Sequence, residues 1–168
     1  MIAMQLIESL VQAAEPFKKF YDHSKVLSIG TTYLHIAAML GAGGLALSAD
    51  KQTLSLDRAD PAAVARHVAA QQDLHRWVVG GLTLSLVTGL IMFASDVDTF
   101  WKSAWYWRKI VFVVLLLGNG LLLQRAERAT ANDPADVKAV GRLRMGAVAS
   151  VVLWFVTALL GVIVKTEA

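Results

Sequence analysis

The chain has 168 residues, of which 56% are hydrophobic and only 17% charged, and its mean hydropathy is +0.53. Soluble domains carry about a quarter charged residues, so this composition excludes an ordinary water-soluble domain and implies a surface that faces lipid. The formal charge is +3, but the basic residues flank apolar stretches, which reads as membrane anchoring and excludes nucleic acid as the natural partner. With no cysteine there is no disulfide, thiolate metal site or thiol nucleophile.

In chain order, the first element is an amphipathic helix over residues 1–22. Leu6, Leu10, Ala14, Phe17 and Tyr21 recur at spacings of three and four, with Glu8, Glu15, Lys18 and Lys19 between them. That pattern predicts a helix lying in the membrane interface, kinked or divided at Pro16. The charges in this stretch leave no apolar run of the kind a cleavable signal peptide needs, and the closing Lys165-Thr-Glu-Ala lacks the cysteine that prenylation requires, so no lipidation signal is expected.

Residues 23–168 are expected to form a bundle of four transmembrane helices. The first span, 26–49, is 24 residues without a formally charged side chain when His35 is neutral, enough for about 36 Å of helix against a hydrocarbon layer of about 30 Å. Residues 50–60 read as a polar link, with Asp60 as N-cap and Pro61 in the first turn of the next helix. That helix starts amphipathic through Val64, Val68, Gln71, Gln72 and Asp73, projects from the bilayer, and then spans over 74–95. The third span, 105–124, is bordered by Arg108, Lys109 and Arg125, which can snorkel. Thr130, Asn132, Asp133 and Pro134 mark a turn, and the fourth span covers 145–164. The fold class is therefore all-α: an integral membrane four-helix bundle with an N-terminal interfacial helix.

Few polar groups fall at membrane depth. His35 lies near the middle of the first span, where an ionisable group is a functional hypothesis by default. Two roles stay open for it. It is either a structural histidine satisfied by Tyr33, Thr83, Thr157 or a water, or a group that ligates a b-type haem or hydrogen-bonds a quinone. Counting antiparallel from the link, His35 faces position 83 or so, whereas His75 lies about 12 Å away along the axis, so a bis-histidine haem within one chain is not expected. His67, Gln71 and His75 recur every four residues, which reads as a solvated or interfacial helix face; two histidines eight apart are too distant for one ion. Lys109 reads as snorkelling beside Arg108, and Asn119, between Gly118 and Gly120, as an interhelical hydrogen bond where small residues permit close approach. Gly41, Gly43 and Gly44 are expected opposite Gly80 and Gly81. Phe100, Trp101, Trp105, Tyr106 and Trp107 read as an interfacial aromatic belt.

Four places resemble the four-helix bacterial membrane proteins that include the copper-resistance CopD-type domain, the HemJ-type protoporphyrinogen oxidases and their uncharacterised relatives. They are Leu34-His35-Ile36 followed by Gly43-Gly44, His75-Arg76-Trp77 through Thr88-Gly89-Leu90, Trp107-Arg108-Lys109 leading Leu115 to Leu123, and Val162 to Lys165. The resemblance covers residues 26–165 and is greatest to the uncharacterised relatives. A HemJ-type relationship implies that a first-span histidine and a third-span lysine serve haem association and porphyrinogen oxidation, which falls on His35 and Lys109. The expected role is a small redox-associated protein of a bacterial inner membrane, multi-pass, with haem b, porphyrin or quinone held near His35, Lys109, Tyr33 and Asn119, and with haem iron on His35. One alternative is a non-catalytic accessory subunit of a larger respiratory or photosynthetic membrane complex, or a homo-oligomer. Copper transport or tolerance is the other, although Met1, Met4, Met39, Met92 and Met145 form no soft-ligand cluster.

An even number of spans puts both termini on one side. Nine of the 16 basic residues fall with the first and third links and seven on the terminal side, which places those links in the cytoplasm and the termini in the periplasm. Cysteine introduced at Gln52 or Asn132 is thus expected to resist a membrane-impermeant thiol reagent in intact cells; ready labelling at both positions reverses the orientation.

Overall fold

The computed structural model describes residues 2–57 and 59–167. Arg58 and the side chains of Leu6, Gln72 and Asp73, which entered the sequence patterns, lie outside the described residues. Six helices follow one another: α1 (Ile2–His23), α2 (Lys25–Ser55), α3 (Pro61–Ser95), α4 (Val97–Lys102), α5 (Ala104–Asn132) and α6 (Val137–Glu167). No strand occurs among the described residues, and α2, α3, α5 and α6 are each long and apolar enough to cross a membrane. The chain is an all-α multi-pass membrane four-helix bundle. Its lipid-facing character shows in the outward Val26, Leu40, Leu121, Met145 and Val162, all well exposed.

Helix limits follow from local chemistry. Ser24 separates α1 from α2 and accepts from the Leu27 amide at 3.3 Å. Asp60 accepts from the Ala63 amide at 3.0 Å with Pro61 next to it, as the sequence predicts. Ser103 caps α5 through the Tyr106 amide at 3.3 Å. Two limits differ from expectation. Helix α2 runs on to Ser55, so the link shrinks to 56–60, and α5 continues to Asn132. The cause is burial: Asp50 and Thr53 on α2 and Ala126 and Thr130 on α5 are inside the bundle, packed at the same end as Val64, Val68 and Leu143. These residues belong to a core that extends past the apolar spans. At 31 residues, α2 is about 46 Å long, well beyond the hydrocarbon thickness.

The four long helices form a ring in which α2 packs on α3 and α6, and α5 packs on α6 and, along the thinnest seam, on α3. Lipid tails are as apolar as leucine side chains, so the helices associate through close packing at small residues. A Cβ at Gly81 would lie 2.8 Å from the Ala42 Cβ and 3.3 Å from the Ala38 carbonyl oxygen, and one at Gly43 would lie 3.1 Å from the Trp154 ring. The expected glycine-to-glycine apposition is thereby corrected. Gly81 meets alanines and Gly43 receives a tryptophan from α6, while Gly41, Gly44 and Gly80 have nothing within 4 Å of a Cβ. One glycine per contact suffices when the opposing residue is alanine or a flat ring.

Helix α1 lies against α2, α3 and α4. It is unbroken through Pro16, which sits on an exposed face where the carbonyl that loses its hydrogen bond can be solvated. Tyr21 is buried, and the Lys18 ammonium meets the Asp96 carboxylate at 2.7 Å. Beyond Asp96, Phe93 stacks on Tyr106 at 5.3 Å and Trp101 meets Trp107 edge-on at 5.0 Å, so the aromatic residues form a packed cluster joining α3, α4 and α5.

Two expectations follow from this packing. Gly81→Ala should destabilise the bundle by about 1–3 kcal/mol, because the Ala42 Cβ cannot turn aside, whereas Gly80→Ala should be neutral or slightly stabilising; equal denaturation midpoints for the two variants in detergent would refute the α2–α3 contact. The Lys18–Asp96 pair should hold α1 in a pH-dependent way. Burial pushes the Asp96 carboxyl up, but hydrogen bonds from Lys18 and Thr99 and the Lys18 charge outweigh it and leave it below its ordinary value. Its hydrogen bond to Asp96 raises the Lys18 ammonium, against a smaller lowering by burial. A depressed carboxyl contributes stability above its unfolded value, which is lost as pH falls through the folded one. Proteolysis of α1 should accordingly be slow near neutral pH and faster in acid, and Asp96→Asn should be uniformly fast and lack the pH dependence, with a modest effect because the pair is partly exposed.

Candidate functional site

His35 projects from the N-terminal half of α2 toward α3. Its Nδ1 lies 2.9 Å from the Ser85 carbonyl oxygen and 3.1 Å from the Thr88 hydroxyl. The Thr88 hydroxyl has one proton and is itself placed to donate to the carbonyls of Leu84 at 2.7 Å and Ser85 at 3.0 Å. A donor is therefore needed from the ring, and these partners assign the proton to Nδ1, which donates to Ser85. Among the described residues no hydrogen bond engages Nε2. The ring reaches this position because α3 offers no side chain at Gly89: a Cβ there would lie 3.2 Å from the His35 Cε1.

Expected partners of His35 are corrected here. Tyr33 is 68% exposed on the outer surface, Thr83 is exposed and bonds the carbonyl of its own Val79, and Thr157 is buried with its hydroxyl unpartnered. The partners are instead Ser85 and Thr88, two and five positions beyond the antiparallel count. A signal for them was present in the sequence. Gly81, Ser85 and Gly89 recur every four residues, a small-residue stripe that marks the face of α3 meeting another helix.

Lys109 is also placed differently from expectation. Arg108 turns outward and its guanidinium carbon sits 4.3 Å over the Trp105 ring. Lys109, about 100° further round the helix, turns inward and is half-buried, with its Nζ 3.6 Å from where a Gly161 Cβ would stand. His35 thus meets Ser85, Thr88 and Gly89, and Lys109 turns inward beside Gly161 on the same, terminal side of the interior. Asn119 is not among them: its Nδ2 donates to the Gly146 carbonyl at 3.0 Å, about 15 Å along α5 from Lys109. That bond is the interhelical contact expected of Asn119, but the small partner is Gly146, since Gly118 and Gly120 face nothing within 4 Å.

The stripe of His67 and Gln71 does not face solvent as expected. His67 is 9% and Gln71 7% exposed. His67 Nε2 lies 2.8 Å from the Thr53 hydroxyl and 3.2 Å from the Gln71 amide nitrogen, which also donates to the Ala49 carbonyl at 3.4 Å. These residues share a face with Val64 and Val68, and the extension of α2 past the expected span covers that face. Asp50 lies in the same end of the bundle, 5% exposed, beside Ser150 and with Oδ2 unpartnered. Among the described residues no group of three or more histidine, cysteine or acidic side chains is placed to hold a metal ion. His75 is half-buried and about 15 Å along α3 from Ser85, so it does not reach His35.

Comparison with known protein families, characterised proteins and solved structures finds no match to the chain.

Proposed function

We propose that this chain is a small redox-associated membrane protein that holds a haem, porphyrin or quinone at His35, in a bacterial inner membrane with its termini on the periplasmic side. The observation that carries the reading is the His35 ring itself. A histidine that ligates a metal commonly donates its other ring nitrogen to a backbone carbonyl, which fixes the tautomer and raises ligand basicity. His35 makes that hydrogen bond to Ser85, and its Nε2 suits either an iron or the hydroxyl of a reduced quinone. Lys109, turned inward on the same side of the bundle, supplies a positive charge complementary to a porphyrin carboxylate or a quinone oxygen. Such a group supplies electron-transfer chemistry that the side chains here lack, while the protein binds and orients it.

An accessory role in a larger membrane complex is the second reading, favoured by α1. That helix is tied to the bundle through Lys18–Asp96 and leaves Leu10 and Phe20 exposed for a neighbouring subunit or the interface.

Visible spectra of the detergent-purified protein, oxidised and dithionite-reduced, together with analysis of extracted quinone, distinguish the two. The wild type should carry pigment or quinone, and His35→Ala should lose it while keeping its helical circular dichroism, because a small residue is tolerated beside Ala38 and Gly89. Lys109→Ala should lower occupancy less, and His75→Ala should have no effect. A wild-type protein free of chromophore and quinone, or a His35→Ala variant at full occupancy, sinks the cofactor reading and leaves His35 as a structural histidine in an accessory subunit.

A further inference from the structure

The outer seam between α5 and α6 holds a groove of about 620 Å³. Its floor is the close approach already described. The Asn119 amide donates to the Gly146 carbonyl, and a Cβ on Gly146 would lie 2.9 Å from the Leu123 side chain. Leu122 and Met145 form apolar walls, and Ala129 and Ala149 keep the channel open by their small size. From Asn119 to Ala129 the groove follows α5 for about 15 Å.

Its charged end is separate from its apolar end. Arg125 and Arg142 both line the groove, both are exposed, and among the described residues no carboxylate lines it. Arg125 immediately follows the uncharged stretch of α5, and Arg142 lies three residues before Met145, where the uncharged stretch of α6 begins. Two helices thus place a guanidinium at the same boundary between hydrocarbon and headgroup, with an apolar channel leading from it into the hydrocarbon layer. Basic pockets between transmembrane helices at that level bind acidic lipid headgroups, and the planar guanidinium forms paired hydrogen bonds with phosphate oxygens.

We propose that this groove is a binding site for an anionic phospholipid, its phosphate held by Arg125 and Arg142 and an acyl chain lying over Leu122, Met145 and Gly146. The apolar channel favours a whole lipid over a free anion, which would use only the arginine end. The site is on the outer face of α5 and α6, away from His35, and does not depend on a cofactor being bound.

The full chain in detergent tests this by native mass spectrometry and by thermal unfolding with phosphatidylglycerol, phosphatidylcholine or inorganic phosphate added. Phosphatidylglycerol should be retained and raise the unfolding temperature, and phosphatidylcholine should do so much less. The double variant Arg125→Gln/Arg142→Gln should retain phosphatidylglycerol about thirtyfold more weakly, the contribution of two arginines at an acidic surface. Arg128→Gln/Lys138→Gln, which changes exposed charges at the same end but outside the groove, should behave as wild type. Equal retention of the two lipids overturns the proposal, as does an equal loss in the control variant. Stabilisation by inorganic phosphate matching that by phosphatidylglycerol overturns it in favour of a free-anion site. Unchanged circular dichroism in the double variant shows that any loss is not unfolding.

Discussion

The close approach of α2 and α3 at Ala38, Ala42 and Gly81 is the contact on which the interior depends. Hydrophobic burial does little to bring two helices together within lipid, so contact distance has to come from the absence of side chains. Once Gly81 lets the backbones meet, the next turn of the same stripe brings Ser85 to His35, and the turn after it, Gly89, leaves room for the imidazole. The same small residues that hold the bundle together therefore set the tautomer of His35.

Polar groups sit at both ends of the interior, with an apolar layer between. Ala42, Leu116 and Trp154 pack at that middle level, with Trp154 filling the space that Gly43 leaves. On the terminal side lie His35, Thr88 and Lys109; on the other lie Asp50, Thr53, His67 and Gln71. The separation has a physical consequence. The hydrogen bonds of His35 and of His67 are each made within their own end, to helices α3 and α2 respectively. The orphaned Oδ2 of Asp50 and the hydroxyls of Thr130 and Thr157 are exceptions, and buried polar atoms of this kind are ordinarily reached by water.

The outer surface is divided in a similar way. Exposed apolar side chains cover the middle of α2, α3, α5 and α6, while charge collects beyond them: Lys18 and Asp96 clamp α1 at one end, and Arg125 and Arg142 flank a groove at the other. Arg144 has a different task, donating to the Leu56 carbonyl at 3.3 Å and so closing the last turn of α2, which has no basic residue of its own. Basic side chains that look equivalent as flanking charges in the sequence are thus a clamp, a cap or a candidate headgroup contact, according to the helix face on which they fall.

Much of the architecture was legible from residues alone. The uncharged lengths of 26–49 and 145–164, the Asp60-Pro61 helix start and the 3.6-residue pattern of the first helix are local properties, governed by the hydrocarbon thickness and by backbone capping, and they needed no partner to be read. Helix ends beyond the spans were not legible, because Asp50 and Thr53 are polar and only the packing of α3 and α6 makes helix their better state. Nor was the direction of Lys109: adjacent residues on a helix point about 100° apart, and sequence gives the angle between Arg108 and Lys109 but not which of them meets α6. The same limit applies to His35, whose depth was fixed by counting while its partners, Ser85 and Thr88, were decided by a register shift of two to five residues. The sequence by itself determined how many helices cross the bilayer and where; the tertiary structure decided which polar side chains face one another, since rotation and register come from contacts between small residues on different helices.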